Sequence, residues 1–309
     1  MPSRNHVSAK PVIVCYGEAL WDCLPEGLFF GGAPINVARH LHRLGTRVFP
    51  ATALGRDFLG QEALDRLTED GLPADLVHRD PELPTGTVKV RLDASGNATY
   101  KIAEPVAWDR IPVDDRTLER TRTADALVYG TLAQRGDHNR AAIRRLLELD
   151  GPFKIYDVNL RPPFDDLALV SELALPADLL KVNEEELYRL LPSGTADASL
   201  EDSARALAAS TGVPRVCVTR AEKGAAFLDE DRWLTAEGRP IEVRDTVGAG
   251  DAFLAAFAVN YLSGRHDAAK VLENACRFGE FIATRNGAVP AYDPRKWLLD
   301  GGGTGIRVR

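Results

Sequence analysis

The chain has 309 residues and 45% hydrophobic content, enough for one large packed α/β domain with a small attachment and too apolar for wholesale disorder. Its 38 Lys and Arg against 45 Asp and Glu leave a net charge of −7, with no basic run longer than a pair. That balance argues against nucleic-acid or anionic-membrane partners and for a soluble enzyme.

The four cysteines, Cys15, Cys23, Cys217 and Cys276, lack paired metal-type spacing. Three lie in or next to apolar segments and, without a signal peptide, fit buried thiols in a reducing cytosol. No apolar run approaches the roughly 20 residues that a membrane-spanning helix needs. The first ten residues are polar and read as frayed.

In chain order, residues 11–16 form a short apolar run ending at Gly17, suited to a buried strand. Pro34 opens a helix whose Ile35, Val37, Ala38, Leu41 and Leu44 recur at helical spacing, with Gly45 as its stop. Residues 87–92 and 98–102 alternate on either side of turn chemistry at 93–97. That predicts an antiparallel hairpin breaking the α/β rhythm, as a lid over a site, a dimer contact or a surface ornament. Further strands are predicted at 126–129, 153–157, 179–182 and 216–219, with helices at 139–149, 200–209 and 252–262. Strands separated by helices predict a mostly parallel sheet covered by helices on both faces. Neither a repeat nor a linker divides the chain, so 1–309 is read as one domain. The glycine-rich stretch 301–305 is followed by too few residues for a nucleotide-binding helix and is read as a loose terminus.

The most informative segment is Asp245-Thr-Val-Gly-Ala-Gly-Asp-Ala-Phe253, which runs into an apolar helix. A turn of Gly248, Ala249 and Gly250 at a helix start gathers backbone N–H groups around one point, where the helix dipole also favours an anion. Asp251 follows at once. An amide cradle beside a carboxylate is what phosphoryl transfer to an alcohol requires, the amides taking developing charge and the carboxylate taking the hydroxyl proton. The plainer alternative is a capped helix start. Neither Gly-x4-Gly-Lys-Ser/Thr nor a strand-linked Gly-x-Gly-x-x-Gly is present, so a nucleotide must be held in another way and a dehydrogenase is disfavoured.

Four other segments carry polar groups suited to ligands. Gly31 and Gly32 permit close backbone approach, and Asn36 offers both a donor and an acceptor to a sugar hydroxyl. Asp22, after Trp21 in a strand-to-loop passage, could bind two neighbouring hydroxyls or be a turn residue. Alternation in Asp157-Val-Asn-Leu-Arg161 places Asp157, Asn159 and Arg161 on one side at the carboxyl end of a strand, where α/β sheets bind ligands. Arg161 would clamp phosphate or substrate, or pair with Asp157. Asn183 and Glu186 fit a capping box and equally fit oxygens around a hydrated Mg²⁺. Thr219 and Gly224 lie at a strand–turn–strand that could border a nucleotide or be a simple hairpin.

Together these segments resemble the ribokinase-like (PfkB) family of carbohydrate kinases. The likeness runs from Gly17-Glu-Ala-Leu-Trp-Asp22 to Thr284-Arg-Asn-Gly-Ala-Val289. Its signatures are Gly31-Gly-Ala-Pro-Ile-Asn-Val-Ala38 and the segment containing Asp251. Asp157-Val-Asn-Leu-Arg-Pro-Pro-Phe164 is similar to bacterial fructokinases. The resemblance implies Asp251 as catalytic base and Gly248, Ala249, Gly250 and Asp251 amides as the anion hole. It implies sugar contacts from Asp22, Gly31, Gly32, Asn36 and Arg161, with Asn183 and Glu186 serving phosphate and Mg²⁺. Thr219 and Gly224 would line the ATP site, and Cys276 falls where an Asn or His often borders the base. Asp245 matches a K⁺ position, with carbonyls of 284–288 beside it. A small β lid, from about 18–30 and 86–106, and a homodimer through it are further expectations. The implied reaction is ATP-dependent phosphorylation of a sugar, fructose to fructose 6-phosphate. Other acceptors (2-keto-3-deoxygluconate, ribose, tagatose or a nucleoside) and a catalytically silent sugar-binding regulator are the alternatives.

Overall fold

The computed structural model describes residues 10–299 apart from 93–97 and 192–197, and side chains within 90–100 are likewise left aside. The predicted turn at 93–97 and both termini therefore lie outside the described residues. The chain begins with β1 (Val12–Tyr16), β2 (Leu20–Leu24), β3 (Gly27–Gly31) and α1 (Ala33–Arg43). There follow β4 (Arg47–Gly55), α2 (Phe58–Glu69), β5 (Val77–Asp80), β6 (Gly86–Leu92) and β7 (Ala98–Ile102). Next come α3 (Asp115–Arg122), β8 (Ala126–Gly130), α4 (Asp137–Leu147), β9 (Phe153–Asp157) and α5 (Leu167–Ala174). Then β10 (Leu179–Asn183), α6 (Glu184–Leu190), α7 (Leu200–Thr211), β11 (Arg215–Thr219), β12 (Ala225–Asp229) and β13 (Arg232–Ala236) lead to α8 (Ala249–Leu262) and α9 (Ala268–Ala283).

Nine strands form one sheet in the order β13-β12-β11-β10-β9-β8-β1-β4-β5. It is parallel from β11 to β5, with β12 and β13 added antiparallel at one edge. Alternation along β1 sends Ile13 and Cys15 into the core beneath α1, α8 and α9, and Val14 and Tyr16 into the core beneath α4 to α7. Both faces are thus covered, as helix-separated apolar strands demand. After β1 the chain first adds β4 and β5 on one side, then returns to place β8 on the other. The order reverses beside β1, and ligands in such sheets bind at the carboxyl ends of strands at that reversal.

A second sheet of order β3-β2-β6-β7 leaves the body at this point. The predicted hairpin is present, β6 against β7 antiparallel, but β2 joins β6 in parallel register, Leu20 opposite Gly86. Asp22 is therefore mid-strand on β2, not in a strand-to-loop passage. Backbone pairing across the β2–β3 hairpin extends the strand through it. Trp21 anchors β2 to the body: it is 1% exposed, packs on Phe30 and donates to the Leu59 carbonyl at 3.1 Å.

Candidate active site

Helix α8 is apolar all round, with residues 252–260 buried, so its N-terminus ends inside the protein. Gly248 caps it with φ +76°. A methyl group there would lie 2.6 Å from the Ala288 Cα, so only glycine fits both the conformation and the approach. The first turn leaves amides without helical partners. Among the described residues, those of Gly248, Gly250 and Asp251 donate to no acceptor, whereas Ala249 donates to the Thr246 carbonyl at 3.2 Å.

Asp251 in this first turn accepts a hydrogen bond from Asn36 Nδ2 at 2.9 Å, joining two segments 215 residues apart. Its carboxyl is pushed up to about 6 by burial and then by the Asp157 charge, against the Asn36 hydrogen bond and the charges of Lys181 and Arg161. Asn36, 6% exposed, sits on the first turn of α1 behind Gly32. A methyl on Gly32 would meet the Glu18 carbonyl oxygen at 2.4 Å; one on Gly31 would lie 3.4 Å from Asn36 Oδ1 and 3.7 Å from Asp22 Oδ2. Asp22, Gly31, Gly32, Asn36 and Asp251 therefore converge. Asn36 Oδ1 is buried without a hydrogen-bond partner, an acceptor available to a ligand. Asp22 is pushed up to about 6 by burial, opposed by Arg161.

The expected alternation through residues 157–161 does not hold. Strand β9 stops at Asp157 and Asn159 adopts φ +41°, which breaks the two-residue period. Nor does Arg161 pair with Asp157. Arg161 is exposed and donates to the Leu160 carbonyl at 2.9 Å, and its charge acts on Glu18, Asp22 and Asp251. Asp157 pairs with Lys181 at 2.7 Å, because β9 and β10 run in register with these two residues opposite each other. The Lys181 ammonium also lies 3.6 Å from where a methyl on Gly250 would be, which brings a cation beside the unpaired amides.

Glu18 and Lys181 escaped the sequence reading, although a signal existed for both: a charged residue inside a buried apolar strand or motif. Glu18 is 3% exposed and pushed up to about 7 by burial, with its Oε2 unpartnered. It lines a small cavity at the sheet reversal with Pro34, Tyr129, Thr131, Asp157 and Asn159.

The other candidates behave differently. Asn183 and Glu186 form the capping box, and Glu186 Oε1 also accepts the Leu160 amide at 2.7 Å. Burial raises the Glu186 proton affinity. Thr219 donates to the Val182 carbonyl at 3.4 Å. Gly224, at φ +90°, is required by its own fold, since a methyl there would meet the Ala236 carbonyl oxygen at 2.0 Å. Cys276 is 5% exposed in the core under α9, its thiol pushed up to about 12 by burial. Asp245 ties two loops, accepting the Val247 amide at 2.9 Å and the Gly287 amide at 2.9 Å. No group of three or more His, Cys, Asp or Glu is placed to hold a metal ion among the described residues. No helix among them is long and apolar enough to cross a membrane.

The nine-stranded sheet, the small sheet after β1 and the glycine opening of α8 together make a ribokinase-like fold. The chain belongs to the pfkB family of carbohydrate kinases, whose sequence profile matches residues 13–293. The fructokinase of Solanum tuberosum is 30% identical, over 98% of this chain and 100% of its own. The crystal structure of Vibrio cholerae O395 fructokinase in fructose, ADP and calcium ion bound form matches with a TM-score of 0.74 at 25% identity, covering 91% of this chain and 95% of that one. A putative ribokinase II from E. coli, solved with ATP and Mg²⁺, matches in fold with a TM-score of 0.77 at 22% identity, covering 91% of this chain and 94% of its own.

Proposed function

We propose that this kinase transfers the γ-phosphate of ATP to a primary hydroxyl of a sugar, with fructose phosphorylated at O6. The observation that carries the reading is the meeting of Asp251, Asn36 and the three unpaired amides at one end of α8. Fructokinases among the relatives favour fructose as acceptor.

In this mechanism the sugar lies against Gly31 and Gly32, with hydroxyls on Asp22 and Asn36 Oδ1 and with Arg161 at the open side. Its primary hydroxyl faces Asp251. A carboxyl at about 6 is ionised at neutral pH yet more basic than an ordinary aspartate, which suits a general base. As the sugar oxygen bonds to the γ-phosphorus, the bond to the β-bridging oxygen breaks, ADP departs and the proton passes to Asp251. The Gly248, Gly250 and Asp251 amides and the Lys181 ammonium take the growing negative charge.

Thr219, Gly224 and Cys276 would border the nucleotide. Both Glu186 oxygens are engaged by backbone amides, so with Asn183 this residue fits holding water around Mg²⁺ better than direct ligation. The bound ion supplies charge neutralisation on the phosphates. Asp245, tied to the 284–288 segment, fits one wall of a K⁺ site. The small sheet would act as the lid of a single domain, closing to exclude water. Its β3 edge, with Leu28 and Phe29 exposed, would carry a homodimer contact.

A coupled ADP-release assay on fructose, ribose, tagatose, 2-keto-3-deoxygluconate and a nucleoside is expected to rank fructose first; a different leader reassigns the acceptor. Asp251→Asn is expected to lower kcat by about 10²–10⁴ with sugar affinity nearly intact. Wild-type kcat/KM should fall below pH about 6 as Asp251 takes up its proton. Turnover by Asp251→Asn within about threefold of wild type removes Asp251 as the base.

A further inference from the structure

Asn36, His40 and Arg43 lie at i, i+4 and i+7, on one face of α1. Each reaches the C-terminal part of the chain. Asn36 Nδ2 donates to Asp251 at 2.9 Å, His40 Nε2 meets the Ala288 carbonyl at 3.0 Å, and Arg43 Nη1 donates to the Pro290 carbonyl at 2.8 Å. One helix face thus runs from the carboxylate of α8 to the segment that backs its glycine turn.

His40 is the middle rung and is fully buried. Its ring lies edge-on to Phe278 at 5.3 Å and stacks on Tyr292 at 5.6 Å. Burial holds its proton affinity far down, at about 3, so the imidazole is neutral. A neutral ring facing a carbonyl must carry its hydrogen on Nε2, which leaves Nδ1 to accept from the Tyr292 hydroxyl at 2.9 Å. The carbonyl therefore sets the tautomer, and the Tyr292 hydroxyl, donating to Nδ1, holds the ring in the orientation that lets His40 donate.

Ala288 matters because Gly248 is built against it: a methyl on Gly248 would sit 2.6 Å from both Cα and Cβ of Ala288. The neighbouring Gly287 amide holds Asp245 at 2.9 Å. No other donor reaches the Ala288 carbonyl among the described residues. We infer that His40 is a positioning residue for the phosphate pocket: by gripping the Ala288 carbonyl it fixes the wall behind Gly248, tying the acceptor helix to the anion turn. This rests on the reading of residues 248–251 as that pocket.

The test uses His40→Phe, which keeps an aromatic ring in the stack and donates nothing, beside His40→Gln, which restores an amide donor. His40→Phe is expected to weaken binding of a non-hydrolysable ATP analogue and to lower kcat, each about tenfold, while sugar affinity stays within about twofold. His40→Gln is expected to recover most of the loss. Amides of 284–289 should exchange hydrogen faster in His40→Phe. Wild-type nucleotide binding, turnover and exchange in a folded His40→Phe overturn the inference. So does an equal loss of sugar and nucleotide affinity that follows the drop in melting temperature. If His40→Phe does not fold, Tyr292→Phe decides, since it removes only the hydroxyl that holds the ring in that orientation; unchanged nucleotide affinity and 284–289 exchange there also overturn it. If the wild type phosphorylates no acceptor, the functional reading falls, and the exchange of 284–289 still reports on the grip.

Discussion

On the side of the cleft proposed for the sugar, Asn36 Oδ1 is a buried oxygen without a hydrogen-bond partner, as are Glu18 Oε2 and Asp157 Oδ2 in the small cavity at the sheet reversal. On the side proposed for the nucleotide, both oxygens of Glu186 and of Asp245 and the Thr219 hydroxyl are each engaged by the backbone. An unpaired buried polar atom lowers stability and is retained where a ligand completes it. Under the proposed function, sugar recognition would rest on side chains that await a partner, and nucleotide recognition mainly on a backbone shape that the fold has already finished. Substitutions should therefore separate the two sides, altering binding with little harm to the fold on the first and changing the shape itself on the second.

The largest effect is expected where shape is everything. Gly248→Ala must place a methyl 2.6 Å from Ala288 in a left-handed conformation. That conformation alone costs about 1–2 kcal/mol for an L-residue, and displacing the turn also misaims the amides. We expect kcat to fall by about 10²-fold or more, as when oxyanion donors are lost, with acceptor affinity largely kept. Steady-state kinetics and calorimetry check it; a Gly248→Ala enzyme with near-normal kcat breaks the claim that backbone shape makes the anion pocket.

The sugar side predicts a gain in stability. Glu18 has a native proton affinity raised from 4.5 to about 7, so its ionised form is disfavoured by folding. The stability tied to its proton is fully present below pH about 4.5 and lost as pH rises through about 7. The difference is on the order of 3 kcal/mol at roughly 1.4 kcal/mol per tenfold change in affinity. Glu18→Gln cannot ionise, so it should be more stable than wild type at pH 8.5 and no more stable at pH 4. Because Glu18 keeps its proton through the pH range where Asp251 titrates, the acid limb of kcat/KM should stay in place in the variant. Urea unfolding at the two pH values decides, and an equal difference at both sinks the idea.

How much of this was legible beforehand follows the same division. The 248–251 turn declared itself in sequence because glycine spacing and an apolar helix encode backbone geometry directly. Strands 126–129, 153–157, 179–182 and 216–219 were legible through short, mostly apolar runs, and β9 matches residue for residue. Asp22 was misplaced because a lone Asp after Trp reads as a turn, while its strand is created by pairing with β3 and β6. The period through residue 161 failed at Asn159, whose positive φ no alternation rule anticipates. The Asp157–Lys181 pair depends on the register of two strands 24 residues apart, and the His40 grip on residues 248 positions away. Long-range partners of this kind are set by tertiary packing. Local pattern carries no trace of them beyond a charged or polar residue in an apolar run.

The smallest expected effect probes the finished side. The Thr219 hydroxyl lies at the end of β11 and makes one long bond of 3.4 Å to Val182. Thr219→Val keeps the branched shape and removes only that weak contact, so stability should change by less than about 1 kcal/mol. If backbone shape holds the nucleotide here, the KM for ATP should rise no more than about threefold and kcat should hold, since loss of a full hydrogen bond to a ligand would exceed that. A rise beyond about thirtyfold would show a hydroxyl that contacts ATP despite being engaged within the fold. The nucleotide side would then resemble the sugar side in depending on individual side chains, and the distinction between the two would narrow to the buried carboxyls alone.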